Sequence, residues 1–214
     1  MKEISIWILG GLFAYLLGSI PFGFLMAKSQ GKDIRTLGSG NIGATNVFRE
    51  ISKKLGILTF ALDAGKGLSA VLLIPLLASK ITGVAYEGMG LPLLCGAMTI
   101  AGHNWTCFLG FKGGKGIATS AGMLIGLSPL CVGIAFFGWL VTFLTTRYVS
   151  VASVTACIVL SVAVWPFHMN REGIWFPAVL TALAALGIWK HRANITRLLA
   201  GTESRFDFKK KKVK

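Results

Sequence analysis

Six apolar runs, separated by short loops that hold most of the charge, leave this sequence few folds to adopt. They cover residues 4–27, 55–79, 91–111, 117–146, 151–167 and 174–189. About 20 apolar residues in a helix cross the ~30 Å hydrocarbon core of a bilayer. With 54% hydrophobic and only 14% charged residues, the chain lacks the polar surface to face water on all sides; a soluble domain carries roughly 25% charged residues. The first run is too long for a signal peptide and shows no small-x-small cleavage site. The expected class is therefore all-α, a polytopic membrane helical bundle forming a single domain over residues 1–214. Cys95, Cys107, Cys131 and Cys157 lie in the apolar runs without CxxC spacing and read as core or lipid-facing residues, with no metal site.

The fourth run is too long for one ordinary helix, and Ser128-Pro129 interrupts it. One kinked helix or a hairpin of two short helices would both fit. The hairpin places eighteen basic residues on one side and three (Lys2, Lys80, Arg171) on the other, with Lys66 inside a span. The single helix would put Arg147 and the whole basic C-terminal segment outside, against the positive-inside bias. About seven transmembrane helices follow, N-terminus out and C-terminus in. The net charge of +14 then reflects orientation and attraction to anionic headgroups, not nucleic acid, and the Lys209–Lys212 run reads as a headgroup-binding tail. Residues 117–127 would span only ~16 Å. Such a helix is short, tilted or sunk among neighbours, and its free N-terminal amides offer an anion site.

The polar motifs fall on the side so defined as cytoplasmic. Segment 37–49, LGSGNIGATNVFR, supplies glycines with Ser39, Asn41, Thr45 and Asn46, and Arg49 as a planar cation. Such glycines let backbone N–H groups converge on an anion, and arginine grips phosphate through two parallel bonds. Segment 102–119 contains Gly113-Gly114-Lys115-Gly116. It is no Walker A loop, because Leu109 and Gly116 stand where that pattern needs Gly and Ser/Thr. Lys115, enclosed by glycines, is a better ligand than Lys112. Asp63 and Lys66, at i,i+3 inside the second span, read as a structural ion pair, since each alone would cost ~2.5–3.5 kcal/mol near a span centre. His103, inside the third span, fits either a functional role or helix-to-helix hydrogen bonding. Ser150 follows Arg147 in a short loop; His191 and Asn194, if helical, face together. His168 in an outer loop looks incidental.

This inventory of cations, amides and hydroxyls with few carboxylates suits phosphate-bearing ligands at a membrane surface. No acyl-enzyme triad stands out, and no His-x4-Asp signature exists: Phe108, Gly173 and Thr196 occupy the fifth place after the three histidines. A transporter or channel for organic phosphates would use the same cations, but would need a matching polar set on the outer face.

Segments 38–46, 102–119 and 190–203, with the 61–67 stretch, resemble the three cytoplasmic motifs of the bacterial membrane-integral acyl-phosphate:glycerol-3-phosphate acyltransferases. The resemblance covers almost the whole chain; the basic tail is the one departure. It implies transfer of a fatty acyl group from acyl phosphate to the 1-hydroxyl of glycerol 3-phosphate in phospholipid biosynthesis. The product is lysophosphatidic acid, no cofactor is needed, and the enzyme sits in the bacterial cytoplasmic membrane with its site facing the cytoplasm. On matching positions it implies catalytic roles for Ser39, Arg49, Lys115, His191 and Asn194. Gly113, Gly114 and Gly116 would bind substrate, joined by Asn41, Thr45, Asn46 and Ser150, while Glu203 is mainly structural. For the hydroxyl proton, His191 is the conventional base. A substrate phosphate oxygen is favoured over it, because cations at the site disfavour a protonated imidazole.

Overall fold

The computed structural model describes residues 2–84 and 87–206; among these there is no strand. The helices are α1 (Lys2–Ser19), α2 (Phe22–Lys28), α3 (Ala44–Glu50), α4 (Lys53–Thr82), α5 (Gly90–Asn104), α6 (Ile117–Leu127), α7 (Pro129–Thr146), α8 (Val149–Glu172), α9 (Trp175–Lys190) and α10 (Arg192–Leu199). The Lys209–Lys212 run lies outside the described residues. Among the described residues, four stretches are long and apolar enough to cross a membrane: Ile4–Lys28, Lys53–Thr82, Pro129–Thr146 and Val149–Glu172. The other expected spans, α5, α6 and α9, have 15, 11 and 16 residues, or ~22, ~16 and ~24 Å, short of the ~30 Å core.

Two expected boundaries change, and the expected break of the fourth run is present. The run 4–27 is broken at Ile20 and Pro21, because proline has no N–H to continue the helix. The run 91–111 is helical only to Asn104; Thr106 then accepts the Phe108 N–H and starts a 3-10 turn at Cys107–Leu109. The long fourth run splits at Ser128, between α6 and α7. His168 is not in a loop at all: it is buried in the last turns of α8, with its ring 4.7 Å from that of Phe176.

The chain divides into two compact units, Met1–Pro129 and Leu130–Lys214. In the first, α1 packs on α5 and α4 on α6. Both crossings are set by small residues. A Cβ at Gly18 would strike the Thr99 carbonyl, and one at Gly67 the Thr119 carbonyl. In lipid, close approach of this kind replaces the hydrophobic drive that joins helices in water. Thr99 Oγ1 adds bonds to Ala14 O (3.1 Å) and Cys95 O (2.8 Å). The large apolar side chains point outward instead: Ile8 is 64% exposed, Phe13 63% and Leu77 54%. That inversion suits a hydrocarbon surround. In the second unit α8 packs on α9 around Leu160, Val164, Phe176 and Leu180, while Phe137 and Val162 face out.

Candidate active site

The break after α1 gives the first unit its polar interior. Pro21 leaves the last carbonyls of α1 without helical partners. Thr106 Oγ1 donates to Ser19 O (2.6 Å), and Lys66 Nζ donates to Ile20 O (3.1 Å). Lys66 also lies 2.8 Å from Asp63 Oδ1 and 3.0 Å from His103 Nδ1; its side chain is 1% exposed. The expected Asp63–Lys66 pair is present, and His103 is its third member. Sequence reasoning did not join His103 to it, although α5 carries no Asp, Glu, Lys or Arg and His103 is its basic residue.

Asn46, buried on α3, organises the glycine-rich loop before it. Its Nδ2 donates to Leu37 O (3.0 Å) and Asn41 O (2.9 Å), and its Oδ1 accepts the Ser39 N–H (3.1 Å). The amide is engaged by its own loop, which makes Asn46 a scaffold for Ser39. Gly38 has φ +54°, and a Cβ there would also collide with the Asn46 and Glu50 side chains. Asn41 Oδ1 accepts the Gly43 N–H at 2.8 Å. Ser39 is exposed; Asn41, Thr45 and Arg49 are half-buried. Nearby, Arg35 hydrogen-bonds Asp33 and holds that carboxyl down to about 2.

The second glycine loop folds back on the end of α5. The Gly114 N–H donates to His103 O (2.9 Å), and neither Gly113 nor Gly114 has room for a Cβ against His103. Lys115 is half-buried, whereas Lys112 is exposed. Leu109, just before this loop, packs on the same apolar cluster as Ile34, Leu37 and Ile42 from the first. Both polar loops therefore meet at one end of this unit. Beside them an apolar cavity of about 330 Å³ is lined by Ile20, Pro21, Phe24, Leu25, Phe108 and Leu109.

In the second unit the polar residues gather on Glu203. Gly201, at φ +68°, ends α10: its N–H bonds Leu198 O (3.1 Å) and the Thr202 N–H bonds Arg197 O (2.8 Å). This left-handed cap turns the chain back on the helix. Glu203 then accepts from Ser150 Oγ (2.8 Å) and Asn194 Nδ2 (2.6 Å) on Oε1, and from Arg197 Nε (2.8 Å) on Oε2. Burial works to raise the Glu203 carboxyl, but these three bonds and the Arg197 charge outweigh it and hold the group below the usual carboxylate range. Arg197 was not singled out in the sequence; its place one turn after Asn194 was the available signal. His191, buried at the α9–α10 junction, lies with Nδ1 2.8 Å from Gly187 O. A carbonyl only accepts, so Nδ1 carries the proton and the lone pair of the neutral ring is on Nε2.

Residues 8–201 match the family described as Glycerol-3-phosphate acyltransferase. A glycerol-3-phosphate acyltransferase of Geobacter metallireducens is 48% identical over 203 residues, covering 95% of this chain and 98% of its own. That of Desulforudis audaxviator is 44% identical over 213 residues, covering 98% and 100%. Two crystal structures of PlsY (YgiH), an integral membrane glycerol 3-phosphate acyltransferase, are 39% identical. The glycerol 3-phosphate form superposes with a TM-score of 0.82 over 94% of this chain and 96% of that one. The lysophosphatidic acid form gives 0.79 over 94% and 95%. With helices as the regular elements of its described residues and matched along nearly its full length, this chain belongs to the glycerol-3-phosphate acyltransferase family and is an integral membrane acyltransferase.

Proposed function

We propose that the chain acylates the 1-hydroxyl of glycerol 3-phosphate with acyl phosphate as donor. The supporting observation is its likeness to a protein whose structures are described as glycerol 3-phosphate and lysophosphatidic acid forms. The substrate hydroxyl oxygen attacks the acyl carbonyl, the carbonyl–phosphate bond breaks, and phosphate departs with the electron pair, leaving lysophosphatidic acid. Acyl phosphate has a good leaving group, so the protein's task is alignment and stabilisation of developing negative charge. Ser39, Arg49 and Lys115 supply a hydroxyl and two cations for the phosphate groups. Asn41, Thr45, Gly113, Gly114 and Gly116 shape their loops. The apolar cavity beside these loops seats the start of the acyl tail, which enters from the lipid.

Residues 1–214 work as a single domain, since the family match runs through both units. His191 and Asn194 serve the same reaction as positioning residues, His191 through its Nε2 and Asn194 through its amide, with Ser150 and Glu203 fixing Asn194. The Nε2 lone pair also leaves His191 chemically able to take the hydroxyl proton; a substrate phosphate oxygen remains the favoured acceptor. We place seven spans in the bacterial cytoplasmic membrane, N-terminus out and C-terminus in, with the polar motifs at the cytoplasmic face. No bound cofactor enters the scheme. Purified protein incubated with palmitoyl phosphate and labelled glycerol 3-phosphate should form labelled lysophosphatidic acid and release phosphate. Uptake of labelled glycerol 3-phosphate into vesicles without acylation would refute the assignment and favour transport.

A further inference from the structure

The buried cluster of Asp63, Lys66 and His103 has no part in the reaction above, yet it lies directly against the loop that carries Lys115. An ammonium has three hydrogens and no lone pair. Lys66 Nζ ion-pairs with Asp63 Oδ1 at 2.8 Å and has hydrogen-bond acceptors at 3.0 Å (His103 Nδ1) and 3.1 Å (Ile20 O). His103 Nδ1 lies nearer to this ammonium (3.0 Å) than to Asp63 Oδ1 (3.4 Å), so it serves as acceptor to Lys66, which places the ring proton on Nε2. Turning the ring over would set a carbon against the ammonium, so Lys66 fixes its orientation and Asp63 holds Lys66. Nε2 faces Gly114 so closely that a Cβ there would run into it. The Gly114 N–H also bonds the His103 carbonyl (2.9 Å), and Gly113 abuts that same oxygen. Lys115 therefore projects from a backbone that rests on one oriented imidazole.

We infer that His103 is a positioning residue for glycerol 3-phosphate, oriented by Lys66 and Asp63, which sets the 113–116 loop and with it the reach of Lys115. This rests on Lys115 contacting the substrate phosphate and extends that role to residues that do not touch substrate. H103N keeps an acceptor for Lys66 but has nothing at the Nε2 position; H103Q keeps a donor there. Steady-state acylation by purified enzyme, at saturating palmitoyl phosphate and varied glycerol 3-phosphate, separates the cases. In H103N the KM for glycerol 3-phosphate should rise roughly 2- to 12-fold, a loss of the size of one neutral contact as the loop loses the ring it rests on, with a smaller change in kcat. H103Q should recover most of the loss, and H103N should add nothing in a K115A background. A fall in kcat at unchanged KM, no recovery in H103Q, or full multiplication of the H103N and K115A effects overturns the inference. Thermal unfolding of each variant identifies any that has lost its fold; H103F, which keeps the ring without either nitrogen, then replaces H103N. Wild-type enzyme that forms no lysophosphatidic acid overturns the acyl-transfer assignment itself, whatever the variants do.

Discussion

Glu203→Gln isolates the charge on which the second unit's polar end depends. The amide keeps one oxygen for Ser150 and Asn194 but turns an NH2 toward Arg197, a donor facing a donor. Two bonds to a charged acceptor, worth roughly 1.5–3 kcal/mol each, weaken to the roughly 0.5–1.5 kcal/mol of neutral ones. Arg197 is 36% exposed, so its screened ion pair adds only about 0–1 kcal/mol. The net loss is about 2–4 kcal/mol at neutral pH. For a chain of 214 residues, each ~1 kcal/mol moves Tm by ~2–4 °C. Purified variant in detergent should therefore melt roughly 4–16 °C below wild type. The pH dependence has a fixed sign. The folded carboxyl is held below its ordinary value, so its stabilisation is complete above the unfolded-state value of ~4.3 and disappears as pH falls through the folded one. Protonated Glu203 nearly matches Gln in shape and charge. The difference in Tm should hold constant from about pH 8 to about pH 5 and shrink on further acidification. Equal melting at pH 7, or a difference that grows in acid, would refute the reasoning.

Lys115→Ala should lower kcat/KM for glycerol 3-phosphate by ~10- to 100-fold through loss of a charge-assisted contact, while Lys112→Ala does little; equal damage would mean that only local charge matters. Single cysteines at 115 and 147 in a cysteine-free background should label from the cytoplasmic side and one at 129 from the outside, and finding 115 and 147 on opposite sides would end the seven-span topology. His191→Gln or His191→Asn should retain substantial rate and the wild-type pH profile if His191 only positions. Inactivity of both folded variants, with a displaced acidic limb in milder substitutions, would make His191 the base.

Helix existence was legible because spans must satisfy every backbone group internally, so a long apolar run has almost no alternative. Helix ends were not. Hydropathy passes over Pro21, flanked by Ile20 and Phe22, yet the missing N–H breaks the helix there. Trp105, Phe108, Leu109 and Phe111 extend the third run just as smoothly, although Gly110 at φ +61° and Phe111 at φ +61° belong to a turn. At Ser128-Pro129 the excess length of the run drew attention to the breaker, and there the break was read correctly.

The candidate site shows the same division between local and distant information. Glycines clustered at span boundaries mark Gly113–Gly116 and the 37–49 loop without any knowledge of packing. What each polar side chain touches is another matter. Asn46 looked like a ligand because an amide among glycines can bind phosphate, but its nearest partners are the loop carbonyls of Leu37 and Asn41. Lys66 was paired correctly with Asp63, three positions along one helix face being a local relation. Its other partners lie 37 residues ahead at His103 and 46 residues back at Ile20. Both follow from one requirement, that an ammonium withdrawn from water must find three acceptors. Pro21 exposes the Ile20 carbonyl and α5 delivers an imidazole nitrogen, so the break in α1–α2 completes the buried charge cluster and need not be regarded as a defect in a span. The consequence is mechanical: the residue that interrupts the first span helps to orient the imidazole on which the Lys115 loop rests.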